Sequence, residues 1–111
     1  MPATSQGKIL RAYFGEGDRY RDRPLHEAML AKCREMKIAG ATVFRGLEGF
    51  GETAEIHRHH LTAHDQPLVL VAVDSAANIQ LLAPAIGEMM ATGVIAVSDA
   101  DIIRCQKSEL A

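Results

Sequence analysis

Three glycines and an arginine stand together after a predicted β-strand in the first half of this chain: Arg45, Gly46, Gly49 and Gly51. Glycine has no Cβ atom, so the backbone N–H groups of such a segment can approach an anion, and an arginine beside them offers a forked donor that suits phosphate. The segment lacks the Gly-Lys-Ser/Thr of a P-loop and the glycine order of a dinucleotide fingerprint. It therefore indicates either an anion site or a sharp turn at the hinge of a loop, and both interpretations stay open.

Four of the five histidines fall in the polar segment that follows, residues 48–66. If this part were helical, His57, His60 and His64 would share one face, and three imidazoles so placed can bind zinc or a similar ion. No acidic or cysteine ligand accompanies them at a fixed spacing, and flexible loops often contain histidines that bind nothing. Metal binding by these three residues is the alternative to anion binding.

A catalytic constellation is not visible in the sequence. Catalysis would need a nucleophile with an adjacent base, or two carboxylates at a fixed spacing. Cys33 lies on the apolar stripe of a predicted helix, and Cys105 lies near the end of the chain. Two isolated thiols, in a chain that starts without a secretion signal, indicate a reduced, cytoplasmic protein. The sequence therefore predicts a binding protein and not an enzyme.

The composition excludes two classes of partner. Twelve basic and fourteen acidic residues give a net charge of -2, so no overall field attracts nucleic acid or an anionic membrane. The longest strongly apolar run, residues 68–73, is about a third of the length that a membrane-spanning helix needs. The chain of 111 residues, 48% hydrophobic, is predicted to form one domain with its own core and no membrane insertion.

The periodicity of apolar residues predicts the elements that position these groups. Strands are expected over residues 7–15, 41–47, 67–74 and 94–97, followed by a turn at 98–100 and a short final strand at 101–104. Helices are expected over residues 24–37 and, after a cap at Asp74 or Ser75, up to Thr92. Residues 1–6 are expected to be disordered, and residues 48–66 to form a long loop between the second and third strands.

This order of elements predicts an α+β fold, the ferredoxin-like βαββαβ arrangement with an antiparallel sheet and both helices on one face. The third strand is apolar at every position from Leu68 to Val73, which is typical of a strand buried on both faces. Because the helices cover only one face, the other face needs a second cover, and another copy of the sheet is the simplest one. A solvent-facing sheet with scattered apolar residues is the alternative.

Arg34 and the run IAGATVFRGLEGFG at residues 38–51 resemble the signature of the domain-of-unknown-function family numbered 190, a PII-like family. The resemblance extends from Lys8 to Arg104, although Gln66 replaces a residue that is usually apolar there. It also includes Glu16, Pro24, Leu25, Ile56, His57, Asp65, Pro67, Val73 and Asp74. It implies a PII-like subunit that assembles into a trimer. In PII proteins, the long loop after the second strand reaches partner proteins, and nucleotides bind between subunits near the base of that loop.

The resemblance also implies further site residues, an effector and a partner. Thr92 and Gly93 occupy the link that forms part of the nucleotide cleft in PII proteins, although the glycine-rich, lysine-bearing form of that link is absent. Arg104 is a second cation from a terminal segment near the same cleft. Helix capping explains Gly93 without a ligand, and exposed arginines are usually solvated. The implied effector is an adenine nucleotide, and a membrane transport protein is a candidate partner, because the family is associated with a fluoride exporter.

Overall fold

The computed structural model describes residues 4–50 and 66–105. Four long strands form one antiparallel sheet in the order β4-β5-β1-β6, and β2 and β3 form a small separate hairpin. Both helices pack against one face of the sheet, which confirms the predicted ferredoxin-like α+β fold. The elements in chain order are β1 (Thr4–Gly15), β2 (Arg19–Tyr20), β3 (Arg23–Pro24), α1 (Leu25–Glu35), β4 (Gly40–Arg45), β5 (Pro67–Ser75), α2 (Ala76–Met89) and β6 (Val94–Ile103).

The core lies between the helices and the inner face of the sheet. Along β5, Leu68, Leu70 and Ala72 are buried, whereas the alternate side chains of this strand are only half-buried. In a single chain the helices cover one face of this strand and no other described element covers the second, so burial on both faces stays a prediction that depends on a second copy of the sheet. The inner residues pack against a shared set of strand and helix side chains: Leu10, Ala12, Phe14, Leu25, Met29, Cys33, Ile79, Leu82 and Ile86.

The helices begin and end at local signals. Pro24 directly precedes the first residue of α1, so this helix begins one residue later than predicted. The helix ends at Glu35, two residues earlier than predicted, because Lys37 adopts a left-handed conformation (φ 57°) and the Ile38 N–H donates to the Cys33 carbonyl at 3.0 Å. At the start of α2, the Ser75 hydroxyl accepts a hydrogen bond from the Asn78 N–H at 3.2 Å, so Ser75 is the side-chain cap.

The last strand is longer than predicted. It pairs with β1 without interruption from Val94 opposite Tyr13 to Ile103 opposite Thr4, so the predicted turn at residues 98–100 is wrong. The predicted disorder of residues 1–6 is likewise wrong for residues 4–6, which belong to this ladder, while residues 1–3 lie outside the described part. Two side-chain contacts support this pairing: Lys8 Nζ to Asp99 Oδ1 at 2.6 Å and Gln6 Nε2 to Asp101 Oδ1 at 3.2 Å.

Candidate functional site

An arginine and a glutamate meet at one end of the sheet, on the side of the helices. Arg45 ends β4 and Glu16 follows β1, and Leu68 of β5 lies between them in the ladder. The Arg45 Nε donates to Glu16 Oε1 at 3.2 Å, and Arg45 Nη2 bonds to Glu16 Oε2, so the pair is bidentate. The hydrogen bond and the negative charge of Glu16 raise the pKa of Arg45 above its usual value, which keeps the guanidinium charged.

This ion pair forms one wall of a cleft of about 230 Å³. Val43 and Leu68 provide an apolar surface, and His26, the second residue of α1, provides a polar one. The Nδ1 atom of His26 is buried and has no hydrogen-bond partner among the described residues. Buried polar atoms are normally paired, so the unpaired Nδ1 of His26 is unusual, and the charge that the cleft offers a ligand is that of Arg45.

The predicted glycines behave differently from one another. The Gly46 N–H donates to the Pro67 carbonyl at 2.7 Å, and a Cβ atom at Gly46 would lie 3.1 Å from the Pro67 ring. This N–H is therefore not available to an anion, and the close approach to Pro67 favours the hinge interpretation for Gly46. A Cβ atom at Gly49 would make only ordinary contact with Pro67, at 3.5 Å. Gly51 lies outside the described residues.

Gly93 lies at the same end of the sheet as Arg45 but does not reach it. It directly precedes Val94, which pairs with Tyr13, so two strands separate it from Arg45 and the distance is roughly 14 Å. Its φ is 136°, and a Cβ atom there would lie 2.7 Å from the Tyr13 carbonyl oxygen. The backbone conformation therefore requires glycine at this position whether or not a ligand binds. Thr92 is exposed beside it.

Arg104 is separated from the cleft within one chain. Its Nη2 atom lies 3.6 Å from the carboxylate of Asp74. Asp74 is six residues along β5 from Leu68, which lines the cleft, and six residues of strand span roughly 20 Å. The structure therefore brings Arg45, Glu16 and His26 together, and leaves Arg104 near the opposite end of the sheet.

Asp74, whose carboxylate lies near Arg104, is a buried acidic residue. It is 3% exposed and accepts hydrogen bonds from the Ala39 N–H at 2.8 Å and the Ser75 N–H at 2.6 Å. Burial opposes its ionisation, but the hydrogen bonds from Ser75 and Ala39, aided by the charge of Arg104, outweigh burial and lower the pKa of Asp74 below its ordinary value of 3.8. Asp74 thus joins the α1–β4 turn, the start of α2 and the C-terminal segment.

We expect Asp74→Asn to lower the free energy of unfolding by about 2 kcal/mol at pH 7, because two backbone N–H groups lose a charged acceptor. A carboxylate whose pKa is lowered by folding contributes stability above its unfolded pKa and loses that contribution as the pH falls through its folded pKa. The difference between wild type and variant should therefore shrink below about pH 4. Urea unfolding at pH 7 and pH 3 measures it.

Asp99→Asn is the matched control for this prediction, since Asp99 is exposed and contacts only the Lys8 ammonium among the described side chains. Its unfolding midpoint should change much less than that of Asp74→Asn. If Asp74→Asn showed an undiminished difference from wild type at pH 3, the carboxylate charge would not be the source of the stability.

The predicted metal ligands His57, His60 and His64 lie outside the described residues. Within residues 4–50 and 66–105, no cluster of three or more histidine, cysteine or acidic side chains could hold a metal ion. In the same two ranges, no helix is long and apolar enough to cross a bilayer.

The outer face of the sheet, opposite the helices, carries an apolar row. Phe44, Val69, Tyr13 and Val94 are cross-strand partners on the four strands, and antiparallel partners share a face. Phe44 is 53% exposed, Tyr13 46% and Val94 45%. We call these four residues the outer row. A continuous exposed apolar strip of this kind is typical of an interaction surface.

Comparison with known proteins identifies relatives of two kinds. The model of the DUF190 family, described as an uncharacterized ACR, matches residues 7–102. A UPF0166 protein of Aquifex aeolicus is 30% identical over 98 residues, which cover 86% of this chain and 92% of that protein.

Solved structures share the fold at low sequence identity. CPII of Thiomonas intermedia K12, a nitrogen regulatory PII-like protein bound to ADP, AMP and bicarbonate, has a TM-score of 0.63 at 16% identity, with 94% of each chain covered. A putative PII-like signaling protein of Thermus thermophilus has a TM-score of 0.61 at 10% identity, with 90% of this chain and 91% of that one covered. The fold described above is therefore shared with PII-like proteins.

Proposed function

The chain belongs to the DUF190 family, and from this premise we propose that it is a PII-like regulatory protein and not an enzyme. Its effector is an adenine nucleotide that binds with its phosphates at Arg45. Its output is contact with a partner protein through residues 48–66, and a membrane transport protein is the candidate partner. We also infer that the protein acts in the cytoplasm, where adenine nucleotides are abundant.

The observation that carries this proposal is the cleft beside Arg45, at the point where the chain enters and leaves residues 48–66. A guanidinium at the end of a strand, next to an apolar surface formed by Val43 and Leu68, suits a phosphate attached to a flat ring system. The nucleotides bound to CPII, which has the same fold, support the choice of ligand class.

The size of the cleft favours a site that is completed by a second copy of the chain. Pockets for drug-sized ligands usually measure about 300–1,000 Å³, and the cleft of one chain is smaller, at about 230 Å³. Independently of the cleft, which lies on the helix side of the sheet, the outer row on the opposite face gives each copy an apolar surface that another copy can cover. We therefore propose a homotrimer, the assembly that the family resemblance implies, with the nucleotide held between subunits and Thr92, Gly93 or Arg104 of a neighbouring copy as further contacts.

Regulation then follows from differential affinity. A nucleotide that binds one conformation of the protein more tightly than another shifts the population toward that conformation. The partner protein responds to the fraction of molecules in each conformation. A ligand with equal affinity for both conformations would have no effect.

We expect adenine nucleotides to raise the melting temperature in a concentration-dependent way, because a ligand that binds only the folded state stabilises it by about 2.7 kcal/mol at a hundredfold excess over Kd. A thermal-shift panel of AMP, ADP, ATP and cyclic AMP measures the effect, with adenosine as the control that lacks phosphate. Absence of any shift at millimolar concentration across the panel would contradict the proposed effector class.

A further inference from the structure

The ion pair at the cleft occupies the side-on edge of the Arg45 guanidinium. Arg45 uses Nε and Nη2 to hold Glu16, and these two atoms form the edge with which arginine binds a phosphate side-on. A phosphate that approached this edge would meet the Glu16 carboxylate in its place. Binding at this edge therefore requires that the phosphate displace the Glu16 carboxylate from Arg45.

The two side chains of the ion pair differ in how far they are exposed to solvent. The Glu16 side chain is 20% exposed, and its backbone N–H is fixed to the Gln66 carbonyl at 2.9 Å. The Arg45 side chain is 61% exposed. The Arg45 guanidinium is therefore accessible to a ligand from solvent, whereas the Glu16 carboxylate is mostly enclosed in the wall of the cleft.

We propose that Glu16 is an internal competitor for the ligand: it holds Arg45 while the cleft is empty, and the phosphate of the ligand takes its place on Arg45. This inference rests on the proposed function, since it assumes that the ligand is an anion bound at Arg45. Glu16 then weakens ligand binding, because the affinity depends on how much more strongly the Arg45 guanidinium binds the phosphate than the carboxylate. His26 lines the same cleft and is the second polar side chain near the proposed ligand.

We expect Glu16→Gln to bind ADP about tenfold more tightly than wild type, because the neutral amide is a weaker partner of the guanidinium than the carboxylate and so competes less with the phosphate for Arg45. Isothermal titration calorimetry with ADP and with inorganic pyrophosphate measures the change. Glu35→Gln is the matched control: it removes the same charge from an exposed ion pair with Lys32 on α1, and its affinity should stay within about twofold of wild type.

Each outcome decides between the two proposals. If wild type binds ADP and Glu16→Gln binds it no more tightly, the internal competitor is wrong while the regulatory proposal stands. If neither wild type nor Glu16→Gln binds ADP or pyrophosphate, both are wrong. Glu16→Ala is titrated in parallel and must show the same gain, and circular dichroism verifies that the variants are folded.

Discussion

Val69→Lys is expected to convert the proposed homotrimer into a monomer, so that the mass in solution falls from three times the chain mass to 12.0 kDa. Val69 lies in the middle of the outer row, between Phe44 on one side and Tyr13 on the other. If another copy covers this row, a lysine there loses its hydration without an opposite charge to pair with. That penalty is large enough to prevent association.

The same substitution should leave the single chain folded. Val69 is only half-buried in one subunit, on the face opposite the core, so a lysine side chain there can reach water. The loss of β-propensity on exchanging valine for lysine is about 1 kcal/mol or less. Dissociation without unfolding is therefore the expected result, and far-ultraviolet circular dichroism together with light scattering distinguishes it from unfolding.

Leu81→Lys is the matched control, since Leu81 is a 65% exposed apolar residue on α2 and lies away from the outer row. It should leave the mass unchanged. A wild-type protein of 12.0 kDa at working concentrations would remove the basis for a site between subunits. An oligomer that persisted in Val69→Lys would show that copies meet through a different surface.

The fold was predictable because each element carries its own signal. Leu25, Met29 and Cys33 recur at helical spacing and are all buried in the structure, and Pro24 and Ser75 stand where the two helices begin. The length of β6 was not predictable in this way. Ser98 and Asp99 have the composition of a turn, and only the pairing with β1, at the other end of the sequence, makes them part of a strand.

The candidate site was predictable only in part, for the same physical reason. The position of Arg45 after a strand and before a glycine indicated an anion site from local sequence. Its partner Glu16 lies 29 residues earlier and is brought to it by the order of strands in the sheet, which local spacing does not encode. Arg104 is the converse case: it carries the right charge, but the fold places it beside Asp74 and not beside Arg45.

Arg45→Gln is expected to weaken ADP binding by roughly tenfold to a hundredfold, because two charge-assisted hydrogen bonds to a phosphate are replaced by at most one neutral bond. Glutamine keeps a hydrogen-bonding group of similar length, so the variant tests the charge and the fork of the guanidinium. Arg45 is mostly exposed and its loss removes one surface ion pair, so the fold should be retained. Calorimetry with ADP measures the affinity.

The control for this prediction is Arg34→Gln, which removes the same charge from an exposed position near the end of α1 and should bind ADP like wild type. The double variant Glu16→Gln with Arg45→Gln links this prediction to the role of Glu16. If Glu16 acts only by competing for Arg45, its replacement cannot raise affinity once Arg45 is gone, so the double variant should bind as weakly as Arg45→Gln. A nucleotide affinity that did not respond to Arg45→Gln would place the phosphates elsewhere, because an anion held by this guanidinium cannot lose it without a measurable loss of binding.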